Sequence, residues 1–396
     1  MRFLRIALVL AQLPAALMIL YLDLLTVAAL RWRRAPAPVA PSRRFAILVP
    51  AHDEELLLPR LLESLAALAY PCDRYEVCVV ADNCTDRTAA LARVASGRVY
   101  ERHDDQLRGK GYALRWLLEQ LRADGCAYDA YVVIDADTVV SPNLLDAMAA
   151  YLERGDQVVQ CYYGVRNRDA AWSATLRYAA LALFNDLRPR GRDALGLSAG
   201  LRGNGMCFAA AVLDRFDWES FALAEDAEFH LRLVDAGLRV AYAPGAQVLA
   251  EMPTTLRQAH SQNVRWERGR LQMLRAWGPR LLATGLARRD ATRLDAIAEQ
   301  LTPPLSALTA LVVAPLLVAT ALRARAARRL ATALALGEVA YVLAGLRLVG
   351  AQPRAYLTLL LAPVYIAWKL GVYVVAALGL GDERWVRTAR GDADNE

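Results

Sequence analysis

A chain of 396 residues is long enough for more than one domain and a large buried core. Hydrophobic residues make up 56%, mean hydropathy is +0.21 and 22% of residues are charged, a balance that fits a water-facing domain joined to membrane segments. The net charge of +6 rests on arginine, since Lys110 and Lys369 are the only lysines, and no stretch alternates arginine with stacking aromatics as a nucleic-acid groove would need.

The chain opens on a predominantly apolar run, Phe3–Leu30, with Gln12 and Asp23 inside it. About 20 apolar residues cross a bilayer once, so this run suffices. RWRR follows at Arg31–Arg34 with no small-residue cleavage site ahead of it. Residues 1–34 are therefore expected to be an uncleaved anchor, with the positive-inside rule placing the next domain on the cytoplasmic side of the cell membrane.

From Phe45 to about Val240 strand and helix patterns alternate. FAILVP predicts a short buried strand, EELLLPRLLESLAAL an amphipathic helix, YEVCVVAD a second strand, and TDRTAALARVA a helix behind a Thr or Asp cap. RVYER, a helix over Gly111–Leu121 and YVVIDAD continue the series. Such alternation predicts a mostly parallel α/β sheet covered on both faces, with ligands beyond the carboxyl ends of the strands. Acids sit at each early strand end: HDEE at His52–Glu55, Asp82, then Asp135 and Asp137. Neither G-x-G-x-x-G nor G-x-x-x-x-G-K-[ST] is present, which disfavours dinucleotide and phosphate-loop domains.

If the fourth strand continues far enough, Asp135 and Asp137 point the same way. Paired carboxylates suit Mg2+ or Mn2+ shared with substrate phosphates, and Thr138 would shape the turn. D-x-D alone is equally well explained as a capped strand end before the helix entry SPNLL. The six cysteines contain no C-x-x-C pair, so free thiols are expected rather than zinc ligands.

Later in the chain, LAEDAEFHLRLVDAGLRVAYAP places Glu225 and Asp226 at the start of a predicted helix, followed by a strand. Negative charge favours a helix start, so position alone does not make these residues functional. SQNVRWERGR supplies Q-x-x-R-W in Gln262, Arg265 and Trp266. Leu301–Leu322, Leu330–Val349 and Tyr356–Leu380 then each reach spanning length, with RARAARR at Arg323–Arg329 between the first two. Three crossings would put that basic loop outside, so one segment is expected to be interfacial or re-entrant; the last, with Lys369 in its middle, is the candidate.

The spaced acids, the E-D pair and Q-x-x-R-W together resemble the membrane-embedded family-2 glycosyltransferases: cellulose synthase, hyaluronan synthase, poly-N-acetylglucosamine synthase and ceramide glucosyltransferase. The resemblance spans about Phe45 to Arg270. It implies a GT-A-type, mostly parallel sheet with flanking helices, and transmembrane helices at both ends. The implied organisation is an anchor at 1–34, a cytoplasmic catalytic domain at 45–280, C-terminal transmembrane or interfacial helices at 297–381 and a tail at 382–396.

Carried over position by position, the resemblance puts Glu54 of VPAHDEE near the donor base, although His52 and Asp53 stand where the family often has aromatic and Asn residues. It makes Asp82 a base-contacting acid, Lys110 a diphosphate contact, and Asp135 and Asp137 ligands of Mg2+ or Mn2+. Asp226 becomes the general base with Glu225 beside it, and Ala224 stands where the polymerases often have Thr. Gln262 and Arg265 close over the diphosphate, and Trp266, Gly203, Asn204 and Glu225 face the acceptor. The implied reaction is inverting, metal-dependent transfer from a nucleotide sugar, UDP-linked by family habit, to a growing polysaccharide, with possible export partners. Single-sugar transfer to a lipid acceptor is the alternative; a catalytically inactive nucleotide-binding membrane protein is a third reading. The chemistry is coherent in itself: a carboxylate takes the acceptor proton while cations offset charge growing on the leaving diphosphate.

Overall fold

A computed structural model describes residues 2–32, 36–37, 39–95, 97–222 and 224–378. Arg33 and Arg34 of the basic cluster and the tail at 382–396 lie outside the described residues. The centre is one eight-stranded sheet built from β1 (Phe45–Ala51), β2 (Tyr75–Asp82), β3 (Arg98–Arg102), β4 (Ala130–Val133), β5 (Thr138–Val140), β6 (Val158–Val165), β7 (Met206–Ala209) and β8 (Ala241–Ala250). Its order is β3-β2-β1-β4-β7-β6-β8-β5. The first four neighbours are parallel, as are β6 and β8, while β7 runs antiparallel between β4 and β6, and β5 antiparallel to β8.

Both faces of the sheet are covered, which explains the near-continuous apolar runs of β1 and β2. Ile47, Val49, Val79 and Val132 pack with the helices Leu58–Ala66 and Leu144–Glu153 on one side. Ala46, Leu48, Val80 and Val133 pack with the helix Lys110–Ala123 on the other. Parallel strands joined by crossovers put three carboxyl ends, those of β1, β2 and β4, along one edge.

The fourth strand stops earlier than its sequence suggests. Val133 pairs with Leu48 and Met206, and then the ladder ends. The next backbone N–H groups find other acceptors: Ile134 donates to the Leu48 carbonyl at 3.0 Å, and Asp135 to Asn204 Oδ1 at 3.1 Å. Asp135 and Asp137 therefore sit on the turn between β4 and β5, not on strand positions of one face. Thr138 does shape that turn, its hydroxyl donating to the Asp135 carbonyl at 2.7 Å.

At the N-terminus, helices Arg2–Leu10 and Leu13–Leu30 meet at a short break where Pro14 starts the second; together Phe3–Leu30 is long and apolar enough to cross a membrane. Arg325–Leu348 and Pro353–Val375 also meet that standard. Leu305–Ala321 does so only when joined to Ala291–Leu301, from which it is bent by 71°. The irregular segment is thus the first of the three, not the last. Pro303 and Pro304 supply the reason, since proline cannot continue the donor ladder from Leu301 and restricts the residue before it. Lys369 is buried and hydrogen-bonded to Asn263, with Glu267 at 4.0 Å, on the helix Leu256–Arg288.

That long helix links the two parts. Thr255 and Gln258 cap its start reciprocally. Its Gly269 lies so close to Ala224 that an added Cβ would come within 2.8 Å of the Ala224 Cβ, so a bulkier residue would lift the helix from the segment leading to Glu225. On the membrane side, Ile19, Leu22, Leu183, Leu187, Leu308 and Tyr341 form one buried cluster.

Candidate active site

The ends of β1 and β2 are clasped into one platform. His52 Nδ1 lies 2.6 Å from the Asp82 carbonyl, the Glu54 N–H donates to Thr88 Oγ1 at 2.8 Å, and Asp53, at φ 52°, accepts the Thr85 N–H at 2.6 Å. Asp53, Cys84 and Asp86 come within 4.8 Å of one another, but both carboxylates accept backbone N–H groups of these loops, so a loop clasp accounts for the group. Asp82 is buried and held by Arg102 of β3 at 2.6 Å. Burial still keeps its carboxyl above the usual range, against the pull of Arg102. Glu54 and Asp82 line the same cavity as the residues below.

The centre of that cavity is a knot around Lys110, the first residue of its helix. Its ammonium lies 2.6 Å from Asp135 Oδ1 and 3.8 Å from Glu225 Oε1, and it donates to the Gly203 carbonyl. Gly203, at φ 78°, brings the backbone close: a Cβ there would sit 3.4 Å from an Asp226 carboxylate oxygen. The D-x-D turn, the glycine segment and the E-D helix start thus meet at one cation. Burial lowers the lysine's proton affinity, but Asp135 and Glu225 outweigh it and hold the group above its ordinary value. Burial drives Glu225 up to about 7, with Lys110 opposing, and Asp226 is raised for the same reason.

Gln262 and Arg265 reach the cavity from the long helix. Gln262 is buried and its Oε1 has no hydrogen-bond partner among the described residues. Desolvation lowers the Arg265 guanidinium, with Glu225 and Asp135 opposing. Trp266 lines the cavity while 39% exposed, an apolar face free for a ring to rest on. Asp137 also lines it. Of the expected residues only Asn204 is not on the wall: it is fully buried beneath the turn, accepting the Asp135 N–H, with its own carbonyl accepting from Gln160. Its position is that of a brace.

Several wall residues were not read from the sequence. Half-buried Tyr163 of β6 adjoins Asp135 and Asp226, and burial first, then their charge, pushes its phenol up. Arg202 sits 2.9 Å from Glu299, which also pairs with the buried Arg192 at 2.7 Å; Arg192 meets Asp295 at 3.0 Å and the Tyr21 hydroxyl at 2.8 Å. This network ties the glycine segment to the apolar helix Leu13–Leu30. Gln160, polar in the apolar run VVQCYY, was the legible signal: its side chain bonds the Asn204 carbonyl and the Arg202 N–H.

The cavity, of about 1310 Å³, continues past Trp266 between the C-terminal helices, where Thr309, Val313, Ala335, Glu338, Val339, and Ile366 line it. One space therefore joins the carboxylate knot to a largely apolar chamber.

Comparisons agree with this geometry. The family model described as "Glycosyltransferase like family 2" matches residues 41–269. The chain is 27% identical over 244 residues to "Probable glycosyltransferase YdaM" of Bacillus subtilis (57% of this chain, 55% of that one). It is 28% identical over 243 residues to "Beta-monoglucosyldiacylglycerol synthase" of Synechocystis (60% and 50%). It is 26% identical over 238 residues to "Poly-beta-1,6-N-acetyl-D-glucosamine synthase" of Staphylococcus aureus (57% and 54%). The match thus spans about half the length of these relatives. Among solved structures, mannosyltransferase PcManGT from Pyrobaculum calidifontis, in complex with GDP-Man and Mn2+, superposes with a TM-score of 0.54 at 19% identity over 93% of this chain and 99% of that one, a likeness of fold.

Proposed function

The chain belongs to the family-2 glycosyltransferases, and from that premise we propose that it moves one sugar from a nucleotide sugar, UDP-linked, to the hydroxyl of a membrane lipid. The observation that carries the acceptor is the cavity: the carboxylate knot opens directly into a chamber between membrane helices. Among the described residues, the chamber's lining does not run the length of the C-terminal helices. On Leu305–Ala321 its lining ends at Val313, and on Arg325–Leu348 it ends at Ala335. At 1.5 Å per residue, roughly 12 Å and 15 Å of those helices continue beyond it. A lipid rising from one leaflet needs a pocket of that depth, whereas a growing polysaccharide needs a passage to the far side. Of the two acceptors the sequence left open, this favours the lipid, and the export partners a polymer would require drop out.

In this reading the platform of Glu54 and Asp82 takes the base, and Lys110 and Arg265 face the diphosphate. Asp135 and Asp137 offer oxygen ligands only, on a turn open to the cavity, which fits Mg2+ or Mn2+. A bound divalent ion would neutralise charge on the diphosphate. Asp226, set in a raised-pKa pair close to Lys110, accepts the acceptor proton. The acceptor oxygen bonds the anomeric carbon as the bond to the diphosphate oxygen breaks, and the diphosphate leaves with that electron pair. One base without a second nucleophile gives inversion. Gln262 and Trp266 cover the reacting groups, and Glu225 and Gly203 border the acceptor.

The catalytic unit at 45–280 would lie at the cytoplasmic face of the cell membrane, held by helices from 1–34 and 297–381 in a multi-pass arrangement. The test is metal-dependent nucleotide release from a panel of UDP- and GDP-sugars by protein in nanodiscs. Release from one UDP-sugar, abolished by chelator and restored by Mn2+ or Mg2+, supports the donor assignment. Selection of a GDP-sugar overturns the nucleotide, and release that ignores chelator overturns the metal.

A further inference from the structure

Glu338 has no role in the chemistry above, yet it lines the chamber. It is 6% exposed, well inside the span Arg325–Leu348, and no Lys or Arg pairs with it among the described residues. One carboxylate oxygen accepts from the Thr309 hydroxyl. The other has no partner among the described residues. An ionisable side chain inside a membrane segment is costly and persists where it has a task. Thr309 stands four residues past the start of its helix at Leu305, about 6 Å into the span. Ser306, one turn nearer the catalytic domain, also lines the chamber, while Val313, Val339 and Ile366 line the rest.

Five of the cations that line the cavity hold hydrogen bonds within the protein. Arg177 donates to the Pro253 and Thr255 carbonyls, Arg188 to Tyr341, Arg202 to Glu299, and Arg270 to Glu267 and the Gln300 carbonyl, while Lys369 donates to Asn263. A lipid phosphate seated against Glu338 would meet a carboxyl, with the uncharged Thr309 and Ser306 beside it.

We propose that Glu338 is the specificity-determining residue for the acceptor: its open carboxylate oxygen receives a hydroxyl or amide hydrogen of an uncharged lipid and rejects phosphate-bearing ones. This rests on the lipid-acceptor reading above. Glu338 selects and holds the lipid; proton abstraction stays with Asp226.

The test uses full-length protein in nanodiscs containing 1,2-dioleoylglycerol, the UDP-sugar selected by the donor panel, and dioleoyl phosphatidic acid as competitor. For Glu338→Leu, KM for dioleoylglycerol should rise by about tenfold or more, the scale of one lost hydrogen bond to a charged group, with kcat falling less. Glu338→Gln, whose amide oxygen still accepts, should stay within about threefold of wild type in KM, the conservative rescue that a packing role would not require. Phosphatidic acid should inhibit Glu338→Gln more strongly than wild type. Affinity for Mn2+–UDP, measured on the same preparations, reports whether each variant is folded. If wild type glycosylates dioleoylglycerol but Glu338→Leu keeps its KM, the selectivity assignment fails and the lipid reading stands. If wild type builds long chains and leaves lipid untouched, the lipid reading fails and takes this subsite with it.

Discussion

Lys110 Nζ lies 2.6 Å from Asp135 Oδ1 and 3.8 Å from Glu225 Oε1, so one cation spans the donor turn and the acceptor-side helix start. When the diphosphate arrives, this ammonium can turn from Asp135 to phosphate oxygens without leaving the site. Lys110→Met should lower kcat/KM by at least about a hundredfold, the scale of losing one preorganised donor to developing charge. Lys110→Arg should recover little, since a planar fork does not replace a point charge between three acceptors. Steady-state nucleotide release measures both, and a loss under threefold would remove Lys110 from the diphosphate.

Asp137 and Asp226 separate by the step they fail. Asp137→Asn should weaken Mn2+-dependent UDP binding by calorimetry. Asp226→Asn should bind Mn2+–UDP close to wild type and lose transfer by about 10²–10⁴-fold. Equal loss of binding in both would mean that Asp226 belongs to the donor site.

Transfer should depend on pH through the Glu225–Asp226 pair. Burial raises both carboxyls, Glu225 to about 7. The base must be ionised, so kcat should fall as pH drops through the ionisation of the pair, above the ordinary carboxylate range. The limb belongs to the pair, not to either residue alone. Glu225→Gln removes a neighbouring negative charge and should move it towards acid. A limb that stays put in Glu225→Gln would contradict the coupling.

The same group acts on stability with the opposite sign. A carboxyl raised in the folded state contributes stability fully present below its ordinary 4.5 and lost as pH rises through about 7. His230, buried and bonded to Ser198 at 2.9 Å, is lowered by desolvation from 6.5 to about 4, and its contribution is present above 6.5 and lost as pH falls towards 4. Melting curves of His230→Gln and Glu225→Gln should therefore differ from wild type in opposite directions between pH 4.5 and 6.5. Parallel changes would count against both assignments.

Gly205, at φ 67°, carries the backbone beneath the knot, and a Cβ there would fall 2.2 Å from Cys161 Sγ and 2.9 Å from Val248 Cγ2. Gly205→Ala should cost about 2–4 kcal/mol, combining a forced left-handed conformation with overpacking. Gly245, with nothing within 4 Å of an added Cβ, serves as the control, expected within about 0.5 kcal/mol. Thermal unfolding in detergent reads both; equal values would show that the turn relaxes freely.

Much of the site was legible because strand periodicity and terminal acids are local signals. FAILVP, YEVCVVAD and RVYER became β1, β2 and β3, and Asp82 and Asp135 came to one cavity because parallel strands end on one side, while Asp226 reaches it from a helix start. What remained hidden depends on long-range packing. No local pattern says that Asn204 would turn inward to take the Asp135 N–H, with β4 ending at Val133, short of both acids. The Arg192 network joins Tyr21 to Glu299, residues from the N-terminal helix and from beyond the catalytic sheet. Lys369 read as a mark of an interfacial segment because its partner Asn263 lies on a helix over a hundred residues upstream.

The central claim is single-sugar transfer to a lipid. Its most direct test is the intact mass of the product formed in nanodiscs containing dioleoylglycerol and the selected UDP-sugar. The account predicts one new lipid species heavier than the acceptor by one sugar residue, with none carrying a longer chain. A series of products separated by repeated sugar masses, or a polymer with the lipid unchanged, would contradict it.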